Sequence, residues 1–316
     1  MKIIHILSGK ANPKLTQNGV NVVVDRYAEL QFKMGYDVEV WGIANNPHTN
    51  IPKPIYPLYL FQQHLSFPRR LDKKLREAVG SIDTKKTVIH FHGAFMPEFL
   101  RIVSLLNNPV YFLMPHGLYS EHSLKRKKFS KYIYIELFEK KLIYGCKGLI
   151  ILHENELDSI MRQTLQRVHR FVVPNGADDF TEFKTEQIKI DKPSSGNTVW
   201  GYCGRIDNEH KAVNRIVRCF VKFATLCGDK KHVLSIIGDG QDLDSLRNEY
   251  GSEINAGLIQ FHGKQFGAAK YNLLKKMDYF VHLSNFEGLP LACLDALSLG
   301  IPLLVTKETN LGDEIT

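Results

Sequence analysis

Hydrophobic positions along the chain fall into two alternating kinds of segment. Short, nearly continuous apolar runs recur at Lys2–Leu7, Asp37–Ile43, Thr87–His92, Val110–His116, Gly148–His153 and Arg170–Pro174. Between most of them lie amphipathic stretches with apolar residues at helical spacing, Val20–Met34 being one. Strands apolar on both faces and joined by helical crossovers predict a parallel sheet covered on both sides. The stretch 185–197 breaks the rhythm. It is polar, carries Pro193 and Gly196, has no helical period and reads as a linker. The alternation then restarts, with strands predicted at Val199–Gly204, His232–Gly238, Ile259–Gly263, Tyr279–Leu283 and Pro302–Thr306. Helices are predicted at Lys211–Leu226, Leu243–Tyr250, Ala268–Met277 and Leu291–Leu299. The pattern is therefore α/β, with two Rossmann-like doubly wound domains, 1–184 and 198–316, and a ligand cleft between them at the carboxyl ends of the strands. No closing helix follows the last strand before Thr316, so the second domain reads as incomplete, with its C-terminal end truncated. Asn45–Pro68 has no readable code and is expected to form specificity loops.

Composition narrows the class. The chain has 316 residues, 44% apolar and 23% charged, which suits two soluble cores and excludes disordered or collagen-like chains. No apolar run approaches the ~18 residues of a membrane-spanning helix. Five cysteines without a Cys-x-x-Cys pair point to neither disulfides nor zinc, and a reducing cytoplasm is the default. Charge is uneven. Residues 1–185 hold 26 Lys and Arg against 17 Asp and Glu, whereas the remainder holds 15 against 16. A basic first half suits an anionic partner.

Two places carry candidate chemistry. In Glu287-Gly288-Leu289-Pro290-Leu291, a strand ends and a helix is expected to start near Pro290. Its first-turn N–H groups and dipole would form an anion site, flanked by two hydroxyl acceptors, Glu287 and Asp295. Phosphate and polyol recognition in one place suits a sugar nucleotide, although a capped helix with solvated acids fits the same spacing. Upstream, Gly204-Arg205 ends a strand and Lys211 is expected to open the next helix, placing two cations where a diphosphate could be neutralised. A solvated helix start is the plainer alternative.

Taken together these segments resemble a known family. Gly204-Arg205-Ile206-Asp207 with Lys211, Gly238-Asp239-Gly240, and Ser284-Asn285-Phe286-Glu287-Gly288-Leu289-Pro290 with Asp295 are similar to the donor domain of retaining glycosyltransferases of family 4 (glycosyl transferases group 1), which have the GT-B fold. In the first domain Asn18-Gly19-Val20, His90-Phe91-His92-Gly93, Pro115-His116-Gly117, His153-Glu154-Asn155-Glu156 and Pro174-Asn175-Gly176 with Asp178 follow in family order. The resemblance implies that Glu287 holds donor-sugar hydroxyls, and that amides from Gly288 through Leu289 and Pro290 to Leu291 meet sugar and diphosphate. It further implies that Arg205 and Lys211 stabilise the leaving diphosphate and that Asp295 binds the ribose. His116 would lie by the donor sugar, Gly19 would admit close backbone approach to the phosphates, and Gly204 lets the backbone turn sharply into the donor-binding loop. Position 295 is Glu in the family and Asp here. No cofactor or metal is implied; the donor, a UDP-sugar or GDP-sugar, is a substrate.

Histidines are numerous, 13 in all. His5 reads as a satisfied core residue, His232 and His262 as strand-edge residues without partners, and His90 and His92 as one face of a strand without a third zinc ligand. His116 ends an interior strand before Gly117 and is expected to be functional. In residues 122–141, Lys125-Arg126-Lys127-Lys128, Lys131, Lys140 and Lys141 interleave with Phe129, Tyr132, Tyr134 and Phe138. This pattern suits an amphipathic helix on an anionic membrane surface, or a solvated face with an aromatic core side. Nucleic acid is not an expected partner, since no recognition motif accompanies the charge.

The expectation is a metal-independent, retaining hexosyl transferase using a nucleotide-sugar and a lipid-linked or oligosaccharide acceptor in bacterial polysaccharide or glycolipid assembly. Its place would be cytoplasmic, or peripheral on the inner face of the plasma membrane. The alternatives are a non-catalytic, truncated nucleotide-binding or partner subunit, and a sugar-nucleotide epimerase on the same fold.

Overall fold

The computed structural model describes residues 1–9, 19–47, 53–63, 70–125, 128–177, 180, 196–228 and 232–311. The chain divides into two units, Met1–Asn175 and Gly176–Thr316. Apart from Gly196 and Asn197, the predicted linker lies outside the described residues, as do Asn18, Asp178 and the Arg126-Lys127 pair.

The first unit holds seven parallel strands: β1 (Lys2–Ser8), β2 (Asp37–Ala44), β3 (Leu58–Gln62), β4 (Thr87–His92), β5 (Val110–Met114), β6 (Gly148–Ile151) and β7 (Arg170–Val172). They lie side by side in the order β3-β2-β1-β4-β5-β6-β7. The chain therefore works outward from β1 to β3, then returns to the other flank of β1 with β4. That reversal creates a switch point beyond the ends of β1 and β4, where open α/β sheets take ligands.

Side chains alternate across the sheet. Ile4, Ile6, Ile89, Phe91 and Leu113 enter one buried cluster. Ile3, Leu7, Val38 and Val40 pack on the opposite face with Val24 and Ala28 of the helix Gly19–Lys33. Each such burial contributes about 1.5–3 kcal/mol, so a one-residue slip of register would be severely penalised. His5 shares the second face, and the β1–β4 register sets it beside His90, with Leu7 beside His92.

Strand β3 departs from the loop expected over Asn45–Pro68. It pairs with β2, and of its five residues one, Phe61, is fully buried. An edge strand with one neighbour lacks the continuous apolar signature of interior strands, and Pro57 before it reads as a breaker.

The second unit holds β8 (Thr198–Cys203), β9 (His232–Ile237), β10 (Ile259–Phe261), β11 (Tyr279–His282) and β12 (Leu303–Val305), all parallel, in the order β10-β9-β8-β11-β12. Its core gathers Tyr202, Leu234, Ile236, Val217 and Val281. Here the switch point lies between β8 and β11. His262 is not partnerless as expected: its Nε2 lies 3.0 Å from Ser235 Oγ. His232 packs against Phe223 with ring centroids 4.9 Å apart and the rings tilted by 53°. Among the described residues no helix is long and apolar enough to cross a membrane.

Candidate active site

The loop after β8 turns over the loop after β9. Gly204 N–H donates to Ile237 O at 2.9 Å, and Ile206 N–H to Asp239 O at 3.0 Å. Such contact demands glycine opposite. A Cβ on Gly238, whose φ is +147°, would stand 1.8 Å from Gly204 O, and one on Gly240 would stand 2.1 Å from Ile206 O. Asp207 then organises the turn. Its carboxylate accepts from His210 N–H at 3.1 Å and meets Arg205 Nη2 at 3.0 Å. Burial by itself would raise this carboxyl, but the His210 amide and the Arg205 charge outweigh it, and it titrates below its ordinary range.

Lys211 does not open the helix, which begins at Val213 behind Ala212 in the left-handed region (φ +48°). The lysine therefore stands in the preceding turn. That turn is stitched to the loop after β11. Asn285 N–H donates to His210 O at 2.8 Å, Asn285 Nδ2 to Glu209 O at 2.9 Å, and Arg215 Nη2 to Asn285 Oδ1 at 2.6 Å.

Glu287 sits where these loops meet. Its Oε1 accepts from Lys211 Nζ, from His282 Nε2 at 2.9 Å and from Ser284 Oγ at 2.8 Å. Its own backbone is pinned: N–H donates to Glu308 O at 3.0 Å, and Asn310 Nδ2 donates to its carbonyl at 2.7 Å. Burial opposes ionisation of Glu287, yet Lys211 and the His282 bond prevail and hold its carboxyl down at about 2. Because that carboxylate can only accept, His282 Nε2 must be the protonated nitrogen. Among the described residues no group donates to Oε2, so the second oxygen is available for a ligand hydroxyl.

The helix Leu291–Ser298 follows, with Pro290 as N-cap residue rather than first helical residue and no side chain capping it. Among the described residues the amides of Leu291 and Ala292 have no acceptor, that of Cys293 donates to Pro290 O at 3.1 Å, and the helix start carries the positive end of the dipole. Asp295, in the second turn, is fully buried, and Lys270 Nζ meets its Oδ2 at 2.5 Å. The resemblance implies a ribose for Asp295, and nothing in the local sequence marks Lys270 as its partner. Also unexpected at the site are His282, Ser284 and Asn310. A histidine ending the apolar strand Tyr279–His282 was the available signal for the first.

In the first unit β5 ends at Met114, and His116 stands two residues beyond it in the left-handed region (φ +51°), followed by Gly117 (φ +82°). The fully buried Glu156 holds this turn, accepting from Gly117 N–H and from Leu152 N–H at 2.6 Å. The imidazole Nε2 of His116 lies 2.9 Å from His92 Nδ1. Burial pushes His116 down to about 4. Gly19 opens its helix with free space where a Cβ would lie.

The basic aromatic segment is not one regular helix. Helices Lys128–Tyr134 and Lys140–Gly145 are joined by the π-turn Ile135–Glu139. The turn buries Glu139, which accepts from Tyr119 Oη at 2.6 Å and Phe95 N–H at 3.1 Å. Outward, Phe129, Ile133, Leu137 and Tyr144 stand exposed beside Lys128 and Lys141.

Two doubly wound units, the second with cations, a carboxylate and a helix start gathered at its switch point, define an α/β protein of the GT-B class. The Glycosyltransferase Family 4 profile matches residues 17–179, more than half of the chain, and the profile of Glycosyl transferases group 1 matches residues 183–316. The chain belongs to Glycosyltransferase Family 4. It is 25% identical over 233 residues to the UDP-Gal:alpha-D-GlcNAc-diphosphoundecaprenol alpha-1,3-galactosyltransferase of Escherichia coli, covering 71% of this chain. The match spans 58% of that relative's length. Among solved structures, the pneumococcal O-GlcNAc transferase GtfA in complex with UDP and GlcNAc superposes with a TM-score of 0.69 at 11% identity, over 96% of this chain and 83% of that one. S. aureus TarM, solved with UDP among its ligands, gives 0.71 at 10% identity over 97% and 85%. The lipopolysaccharide outer core galactosyltransferase WaaB gives 0.60 at 19% identity over 96% and 80%. At these identities the likeness shows the fold, which is the GT-B fold expected from the sequence.

Proposed function

We propose that the protein is a retaining, metal-independent glycosyltransferase that moves a sugar from a UDP- or GDP-sugar to the hydroxyl of a lipid-linked or oligosaccharide acceptor in bacterial polysaccharide or glycolipid assembly. The observation that carries this reading is the convergence of Lys211, His282 and Ser284 on one oxygen of Glu287 beside an uncapped helix start. The carboxylate is held ionised with its other oxygen open to a sugar hydroxyl. Lys211, with three donor protons, keeps Glu287 while offering a proton to the departing diphosphate. Arg205, exposed and tethered by Asp207, adds a second cation, and amides around Gly288–Leu291 add fixed dipoles. Stabilising leaving-group charge in this way is the largest usual catalytic contribution, and no protein nucleophile is needed. Asp295 and Lys270 together take the ribose, the acid accepting and the amine donating.

The relative from Escherichia coli, whose name specifies UDP-Gal and a diphosphoundecaprenol acceptor, supports a UDP-sugar and a lipid-linked acceptor. The exposed Phe129, Ile133 and Leu137 beside Lys128 and Lys141 suit peripheral docking on an anionic lipid surface at the inner face of the plasma membrane. A thermal-shift panel of UDP-, GDP- and ADP-sugars, followed by transfer assays with the stabilising donor, tests the assignment. A donor at a hundredfold excess over its Kd adds about 2.7 kcal/mol to stability. If no sugar nucleotide shifts the transition, the assignment fails; donor isomerisation without acceptor would instead mark an epimerase.

A further inference from the structure

Three histidines from three separate elements are joined end to end in the first unit. Gln31 Oε1 lies 2.8 Å from His5 Nε2, His5 Nδ1 lies 2.8 Å from His92 Nε2, and His92 Nδ1 lies 2.9 Å from His116 Nε2. His5 and His92 are buried in the sheet, and Gln31 comes from the helix that covers it. A neutral imidazole has one N–H and one lone pair, so the three bonds must all point the same way. The amide oxygen of Gln31 can only accept, and it sets the direction. His5 Nε2–H donates to Gln31, His92 Nε2–H donates to His5, and His116 Nε2–H donates to His92. The remaining nitrogen, His116 Nδ1, is left as a bare lone pair without a bond to any described residue.

The chemistry of the terminus matters. A carboxylate behind a histidine stabilises the imidazolium and makes the ring a base. An amide oxygen cannot do this, and burial opposes the charge: His5 and His116 are each pushed down to about 4. The chain therefore orders protons without conducting them. We propose that Gln31, His5 and His92 are positioning residues that lock His116 in its Nε2–H form, presenting Nδ1 as a fixed hydrogen-bond acceptor for a substrate hydroxyl. This rests on the sugar-transfer reading only for the identity of that hydroxyl.

The test separates the two claims. Long-range proton–nitrogen correlation spectra of histidine-labelled full-length protein, without substrate between pH 6 and 8, should show His116 protonated at Nε2 alone. Protonation at Nδ1, or an averaged signal, overturns the proposal whatever the chain's activity. Gln31→Leu, a change of similar size at a half-buried helix position, should remove the direction and give mixed tautomers at His116. Gln31→Glu keeps an acceptor there, so near pH 8, where His5 is neutral, the single form should return, whereas toward pH 6 the carboxylate should favour an imidazolium at His5 and disturb it. With the donor that stabilises the wild type, Gln31→Leu should lower kcat roughly three- to tenfold with KM little changed, the loss expected for one misdirected hydrogen bond. A single tautomer and unchanged kcat in Gln31→Leu would show that the relay positions nothing.

Discussion

Lys211 and Glu287 meet across 76 residues of sequence, one in the turn after β8 and the other in the loop after β11. Neither loop reaches this geometry alone. Asn285 ties them together, its backbone bonded to His210 and its side chain to Glu209 and Arg215. Replacing Lys211 or Glu287 by Ala should lower turnover by about 10²–10³ or more, the scale of a lost charge-stabilising donor. Circular dichroism should remain native, and wild-type turnover in either variant would remove the site assignment.

The same pair makes stability pH-dependent. Glu287 titrates at about 2 in the folded protein, against roughly 4.3 when unfolded. Its contribution is complete above the unfolded value and is lost as pH falls through the folded one, so it fades between about pH 4.3 and 2. Urea titrations of wild type and Glu287→Gln over that window should differ in slope, the variant being flatter. Parallel curves would refute an ionised, paired Glu287.

The buried histidines act at milder acidity. Burial, reinforced by His5, lowers His90 to about 3, while the unfolded chain takes up its proton near 6.5. Stability owed to neutral His90 is full above about pH 6.5 and declines steadily toward 3. His90→Phe, which keeps the stacking on Phe112, should therefore lose less melting temperature than wild type between pH 6.5 and 4.

Gly238 tests the loop contact beneath Arg205. Gly238→Ala would drive a methyl to within 1.8 Å of Gly204 O, forcing the backbone apart at a cost of about 1–3 kcal/mol. The expected result is a lower melting temperature together with weakened donor binding, because the Arg205 turn moves. Gly251→Ala, with open space around it, is the control and should change neither.

The exposed aromatic and basic face predicts lipid dependence. Co-sedimentation with vesicles containing anionic phospholipid should fall for Phe129→Ser and for Lys141→Glu, each surface cation being worth about 1 kcal/mol. Neutral vesicles should retain little of either protein. Equal binding of both variants and wild type would leave the face as ordinary solvated surface.

Much of the fold could be read directly from the chain. Interior strands such as Thr87–His92 and helices such as Leu243–Glu249 coincide with their expected positions to within a residue, because a doubly covered sheet imposes a near-continuous apolar signal. Strand β3 escaped because an edge strand carries half of that signal. At the site, Arg205, Lys211, Glu287 and Asp295 stood in recognisable segments, whereas Lys270 and Asn310 did not. Each of the latter lies in an unremarkable helix or turn, and its relevance comes from a neighbour far away in sequence.

The amino-acid order by itself determined the alternation of elements, the two-domain α/β architecture and the residue types that can hold phosphate and hydroxyl, since periodicity and local chemistry are short-range properties. Only the tertiary structure decided which oxygen of Glu287 is saturated, that Asp295 is paired with Lys270, and that His5, His92 and His116 share their protons in one direction. Hydrogen-bond partners across parallel strands are set by register and crossover, and these place residues tens of positions apart within 3 Å without leaving a local mark.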